Sequence, residues 1–179
     1  MRRLTETLDS WPCKQSADFV RIAMLTGMRK SEVLKLTWDR IDLGRKTLTI
    51  FDPKTKSATI PLSDALCSVL SNIKQTSSPF VIPGPDGGIK KTFRHPWYAI
   101  RRTANLPPKI RFHGLRHNFA SWLVSHGESL FAVSKALNHK TLTTTDRYAH
   151  LGDIALRQTV QKAGELLTPK QGQVLKIVK

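Results

Sequence analysis

Apolar positions along this chain recur first at helical spacing. Phe19, Ile22, Ala23 and Thr26 fall on one face, and Gly27 follows where a C′ residue would end the helix. A short second helix is predicted around Ser31–Leu36. The period then drops to two. Leu48/Ile50 and Ala58/Ile60 alternate with polar neighbours, which predicts strands over Thr47–Phe51 and Ser57–Ile60 joined by a turn at Asp52-Pro53-Lys54-Thr55-Lys56. Ser63 suits an N-cap for a helix with Leu66, Val69, Leu70 and Ile73 on one face. Pro83 to Gly88 is a loop signal. Helical spacing resumes over Thr92–Thr103, over Leu115–Ser125 (stripe Leu115, Phe119, Trp122, Leu123) and over Leu130–Leu137 (Leu130, Val133, Leu137). A last stripe, Leu156, Val160, Ala163 and Leu167, predicts a helix that Thr168-Pro169 ends. The expected fold class is α+β and mainly helical: one domain over residues 18–167 with a small antiparallel β-hairpin or sheet packed at one edge. Residues 1–17 read as a lead-in and 168–179 as a weakly structured tail.

Composition changes the picture through charge. The 179 residues are 40% hydrophobic, enough for a sizeable core, but 29 Lys and Arg face 13 Asp and Glu, a net charge of +16. From Gly87 to Gly127 there is no acidic residue, while Lys90, Lys91, Arg94, Arg101, Arg102, Lys109, Arg111 and Arg116 crowd the same stretch with four of the six histidines. A solvated face mixes signs, so this run points to a polyanion. Pro96, Pro107 and Pro108 break the stretch, which argues against a membrane-surface helix and for nucleic acid. Two cysteines, Cys13 and Cys67, are too few for a disulfide framework, and the start of the chain lacks a signal-peptide core. A cytoplasmic, DNA-associated protein is expected.

Four separated pieces carry the chemistry. They are Thr26-Gly27-Met28-Arg29-Lys30-Ser31-Glu32-Val33-Leu34; the hairpin lysines followed by Ala58-Thr59-Ile60-Pro61-Leu62-Ser63; His113-Gly114-Leu115-Arg116-His117; and Leu137-Asn138-His139-Lys140 with Arg147-Tyr148-Ala149-His150, where Tyr148 follows His139 by nine residues. In this order and spacing, from about Asp18 to about Leu151, they resemble the catalytic domain of the tyrosine recombinases, the phage-integrase family.

The resemblance implies a role for each matching residue. Phosphodiester cleavage passes through a five-coordinate phosphorus whose non-bridging oxygens gain charge, and the guanidinium forks of Arg29 and Arg116 suit that charge. His113 and His139 would donate hydrogen bonds to the same oxygens or move protons. Tyr148 would be the nucleophile of a 3′-phosphotyrosyl intermediate. A hairpin lysine would be the general acid that protonates the departing 5′ oxygen. Glu32 would support the site without doing chemistry. No metal or other cofactor is implied. Double-stranded DNA is the implied partner, with a homo-oligomer (a tetramer) on DNA and a monomer or weak association when free. Family members also carry an N-terminal DNA-clamping domain, and only about 17 residues precede Asp18 here.

Two positions depart from the pattern. The lysine of the family stands eight residues before the proline of the Ile60-Pro61-Leu62 segment, where this chain has Pro53. Lys54 is therefore the expected acid and Lys56 the alternative. The usual Leu-Gly-His is Leu137-Asn138-His139, and asparagine tolerates a left-handed backbone. Tyr98, beside Trp97, reads as packing. His113 and His117 have a spacing that could chelate zinc, but the glutamate of a HExxH site is missing and Arg116 would sit beside the cation. Two other readings compete: a type IB topoisomerase, and a non-catalytic module in which segments 115–125 and 130–137 form a helix-turn-helix.

Overall fold

A computed structural model describes residues 2–50, 57–139, 143–149 and 160–161. In chain order the described elements are α1 (Arg2–Asp9), α2 (Lys14–Thr26), α3 (Lys30–Leu34), a 3-10 turn (Trp38–Arg40), β1 (Ile41–Asp42), β2 (Thr47–Ile50), β3 (Ala58–Pro61), α4 (Asp64–Ser71), α5 (Arg94–Thr103), α6 (Gly114–Ser125), α7 (Leu130–Ala136) and α8 (Thr143–Asp146). The fold is mainly helical with one small antiparallel sheet, as the periodicity predicts. The turn holding Lys54 and Lys56, most of the last predicted helix and the tail lie outside the described residues.

The sheet runs β1-β2-β3, with Leu48 opposite Ile60 and Ile50 opposite Ala58. Leu48, Ile50 and Ile60 are buried, so one face of the hairpin is core and the other is solvated. The Ser63 hydroxyl accepts the Leu66 N–H at 3.3 Å and caps α4, whose Leu66 and Leu70 are buried.

The stretch read as a lead-in contains α1, which buries Leu4 and Leu8 in the main core. That core continues through α2 to an aromatic group in which Phe19 stacks on Phe93 at 3.9 Å and Phe112 meets the edge of Trp97 at 5.4 Å. Phe112 anchors the turn that opens α6 and so sets the position of the next residue, His113.

A second, smaller cluster holds Ala120, Val124, Val133, Leu137 and the ring of Tyr148. Helix α6 belongs to both: Leu115 faces the main core, whereas Ala120 and Val124 face α7. This corrects the expected stripe. Because the buried face of α6 shifts along its length, Trp122 is left exposed and stacks on His126, at 4.1 Å. Tyr98 is also not a packing residue. It is exposed on α5, its hydroxyl accepts from Arg94 Nε at 3.3 Å, and the Arg94 and Arg101 guanidiniums lie 5.5 and 5.1 Å from its ring.

Candidate active site

The site begins at the end of α2. Gly27 takes a left-handed backbone, φ 64°, and hands the chain to an extended Arg29 that opens α3. A β-carbon on Gly27 would stand 2.6 Å from Leu137 Cδ2 and 2.7 Å from Phe119 Cδ1. Only glycine lets α2, α6 and the end of α7 approach this closely. Glu32 fixes Arg29 twice: one carboxylate oxygen accepts its backbone N–H at 2.6 Å, and the other accepts from Nη1 at 2.7 Å. Glu32 is largely buried, while the Arg29 side chain stays 41% exposed. A buried carboxylate thus aims a solvent-facing guanidinium.

Arg116 is 5% exposed, unusual for an unmatched cation. Its Nη1 donates to the Gly27 carbonyl at 2.8 Å and its Nη2 to the Leu137 carbonyl at 2.7 Å. One guanidinium therefore ties α6 to the chain reversals after α2 and after α7. The second reversal uses Asn138 at φ 50°, the left-handed geometry its side chain tolerates. Burial, then the nearby Arg29 charge, pulls the Arg116 pKa down to about 10, so it remains a cation at neutral pH.

His139 follows Asn138, and its Nδ1 pairs with the buried Thr145 hydroxyl at 2.8 Å. Burial, reinforced by the charges of Arg116, Arg29 and Arg147, pushes its pKa down to about 4. His113 is more open, and its pKa is lowered by burial, His117, Arg116, Arg29 and Arg147. The Tyr148 ring is buried in the small core, and its hydroxyl meets His117 Nδ1 at 2.5 Å. His117 in turn stands edge-on to His113, ring centres 4.7 Å apart. Burial raises the Tyr148 pKa, against the opposing pull of Arg147 and Arg116.

The fold therefore brings Arg29, Glu32, His113, Arg116, His139 and Tyr148 close enough to bond to or act electrostatically on one another. Sequence reasoning missed two participants. His117 follows Arg116 directly and shares a helix face with His113, and that spacing was the available signal. Arg147 precedes Tyr148, and its charge acts on all three histidines. Lys54 and Lys56 lie outside the described residues. Lys91, Arg94, Arg102, Lys109 and Arg111 are exposed, whereas Lys90 is half-buried and donates to Gln15 Oε1 at 2.8 Å, and Arg101 donates to the Pro108 carbonyl. Among the described residues no group of three or more His, Cys, Asp or Glu is arranged to hold a metal ion, and no helix is long and apolar enough to cross a membrane.

The same arrangement connects the chain to known proteins. It is 30% identical to the integrase of Salmonella phage P22, the match covering 74% of this chain and 38% of that one. It is 28% identical to tyrosine recombinase XerD of Staphylococcus aureus, over 74% of this chain and 49% of the relative. The matched region thus spans less than half the length of either relative. Among solved structures it resembles the catalytic domain of bacteriophage HP1 integrase, with a TM-score of 0.67, 28% identity and 89% of each chain covered. The profile of the phage integrase family matches residues 1–153, from α1 past Tyr148, and the chain belongs to that family.

Proposed function

We propose that this chain is the DNA-cleaving and rejoining domain of a site-specific recombinase, acting through a 3′-phosphotyrosyl intermediate. One observation carries the reading. The Tyr148 hydroxyl, held on His117 at 2.5 Å, lies within a group in which burial and then the charges of Arg116, Arg29 and Arg147 lower the proton affinity of His113 and His139, with Glu32 bound to Arg29 at 2.7 Å. A phosphorane, whose non-bridging oxygens gain negative charge, suits such a gathering of cationic and hydrogen-bond-donating groups. Arg29 and Arg116 clamp the non-bridging oxygens. His113 and His139 donate to them; the Thr145 contact at His139 Nδ1 leaves Nε2 to face the phosphate. Tyr148 attacks phosphorus, and Lys54, or alternatively Lys56, protonates the 5′ oxygen. No metal is needed for these steps.

Duplex DNA binds along the basic stretch, with Lys91, Arg94, Arg102, Lys109 and Arg111 contacting phosphates. On DNA the chain assembles as a homo-oligomer, a tetramer, and when free it is monomeric or weakly associated because +16 protomers repel. Two features support assembly. Val160, from the last apolar stripe, is exposed. An apolar groove of about 420 Å³ runs between Leu25, Ile60, Phe119, Leu123, Val133 and Ala136. The occupant proposed for that groove is the same stripe from a second copy.

The test is covalent capture from a pool of nicked duplexes randomised around the nick. A protein–DNA adduct is expected with the natural chain and none with Tyr148→Phe, which keeps the ring and removes the oxygen. An adduct formed by the variant would transfer the role to another residue. Duplexes recovered this way then serve three arms. Sedimentation with a two-site duplex should show assembly absent from the free protein. Exchange between two duplexes separates recombination from simple relaxation. A bridging 5′-phosphorothiolate, whose sulfur leaves without a proton, should rescue Lys54→Ala; failure to rescue moves the acid to Lys56.

A further inference from the structure

The roles above leave His117 unused, although it is the histidine in contact with the candidate nucleophile. Its Nδ1 lies 2.5 Å from Tyr148 Oη, while His139 turns its own Nδ1 to Thr145 and His113 meets the His117 ring edge-on. We propose that His117 is the proton acceptor for Tyr148, taking the phenolic proton on Nδ1 as the tyrosine attacks and returning it when the strand is rejoined. This inference rests on the recombinase reading.

Three observations support it. The first is shielding. The tyrosine ring sits among Ala120, Val124, Val133 and Leu137 and is 5% exposed, so bulk water is poorly placed to take the proton. The second is need: burial holds the phenol protonated at neutral pH, and a neutral phenol is a weak nucleophile. The third is the state of the acceptor. Burial and the charges of Arg147 and Arg116 favour the neutral His117 ring, which keeps a free electron pair. Once a phosphoryl group carrying negative charge occupies the site, the resulting imidazolium is stabilised beside it.

The step balances. The Oη–H bond breaks, Oη–P forms, P–O5′ breaks, the phenolic proton rests on Nδ1, and the 5′ oxygen takes a separate proton from the general acid. In rejoining, the 5′ hydroxyl attacks and gives its proton back to the lysine, while departing Oη recovers its own from His117. Helix α6 makes a suitable mount, since one turn sets His113 toward the phosphate and the next sets His117 against the nucleophile.

The experiment has a structural and a kinetic arm. Nitrogen-15 NMR of the free, histidine-labelled protein should show His117 protonated on Nε2 with Nδ1 bare. A proton resident on Nδ1 would make His117 the donor and overturn the proposal, whatever the variants do. The kinetic arm follows single-turnover adduct formation on the recovered nicked duplex. His117→Asn puts an amide near the Nδ1 position, so it can keep the hydrogen bond but cannot accept a proton; His117→Ala removes both. Both variants should slow cleavage by about 10²–10⁴-fold. An Asn variant that cleaves at the natural rate reduces His117 to a positioning residue and refutes the acceptor role.

The groups facing His117 are His113 and Arg116 on α6, Arg147 and Tyr148 after α8, and His139 after α7. The natural rate should therefore climb with pH through the titration of His117. That limb should be missing in the Asn variant, where the other histidines remain. Circular dichroism confirms that the variants fold. If the natural chain forms no Tyr148 adduct, the recombinase reading falls and takes this proposal with it. If it forms one and the Asn variant is unimpaired, only the proposal falls.

Discussion

Arg116 bonds two carbonyls with a single guanidinium and, in the proposed function, also meets the scissile phosphate. Its partners at Gly27 and Leu137 are 89 and 21 residues away, and both bonds are buried. Five N–H donors spread over three nitrogens in a planar fork can reach both carbonyls and still present donors outward; the three N–H groups of an ammonium radiate from one nitrogen and lack that reach. Arg116→Lys should therefore lose stability as well as activity. At least one buried carbonyl is orphaned, at a cost of about 1–3 kcal/mol, which the midpoint of urea unfolding reads directly. Adduct formation should fall with it. Loss of cleavage at unchanged stability would mean that the two carbonyl bonds contribute little to the fold. The family resemblance implies that Arg116 is a phosphate ligand. Its structural duty was not legible, because no local pattern names a partner so far along the chain.

At the scale of elements the critical piece is the stop of α2. Gly27 is required by its left-handed φ and by the lack of space toward Leu137 and Phe119. Gly27→Ala should cost roughly 1–2 kcal/mol for the backbone alone. Overlap with the two side chains should add about 1–3 kcal/mol. Thermal unfolding would measure the sum, and a variant as stable as the natural chain would show that α6 and α7 can draw back freely. The same change displaces Arg29, which follows two residues later, so activity should fall further than stability requires. Helix stops, the Ser63 cap and the hairpin alternation were legible because each is written within a few residues. The exposure of Trp122 was not, because a single period assumes one buried face and α6 serves two cores.

Across the whole molecule the net charge of +16 is concentrated where acidic residues are absent, and the site inherits its field. Three histidines, His113, His117 and His139, have pKa values held below the ordinary 6.5, His139 down to about 4. A histidine whose folded pKa is depressed binds fewer protons folded than unfolded between those values. Stability is thus full above about 6.5 and declines as pH falls toward about 4. The melting temperature should be lower at pH 5 than at pH 7.5, and an unchanged value would contradict the depressed pKa values. In the proposed function, duplex DNA would bring negative charge to the same groups and raise their proton affinity. Binding near pH 6 should take up protons, visible as a dependence of calorimetric heat on buffer ionisation.

By itself the sequence determined the types of α2 to α7 and of the β2–β3 hairpin, the mainly helical class, the basic character and the residue types of the site. Those follow from side-chain period, capping and charge, which act over a few residues, and from motifs whose chemistry resides in the residue types. Tertiary structure alone decided which histidine touches Tyr148, that Arg116 closes two chain reversals, that α1 belongs to the core, and that Tyr98 and Trp122 stand in solvent. Each of these depends on how elements tens of residues apart pack together, His117 and Tyr148 by 31 and Arg116 and Gly27 by 89. Close packing fixes such pairings through shape and volume, which are properties of the assembled core and not of any stretch of the chain.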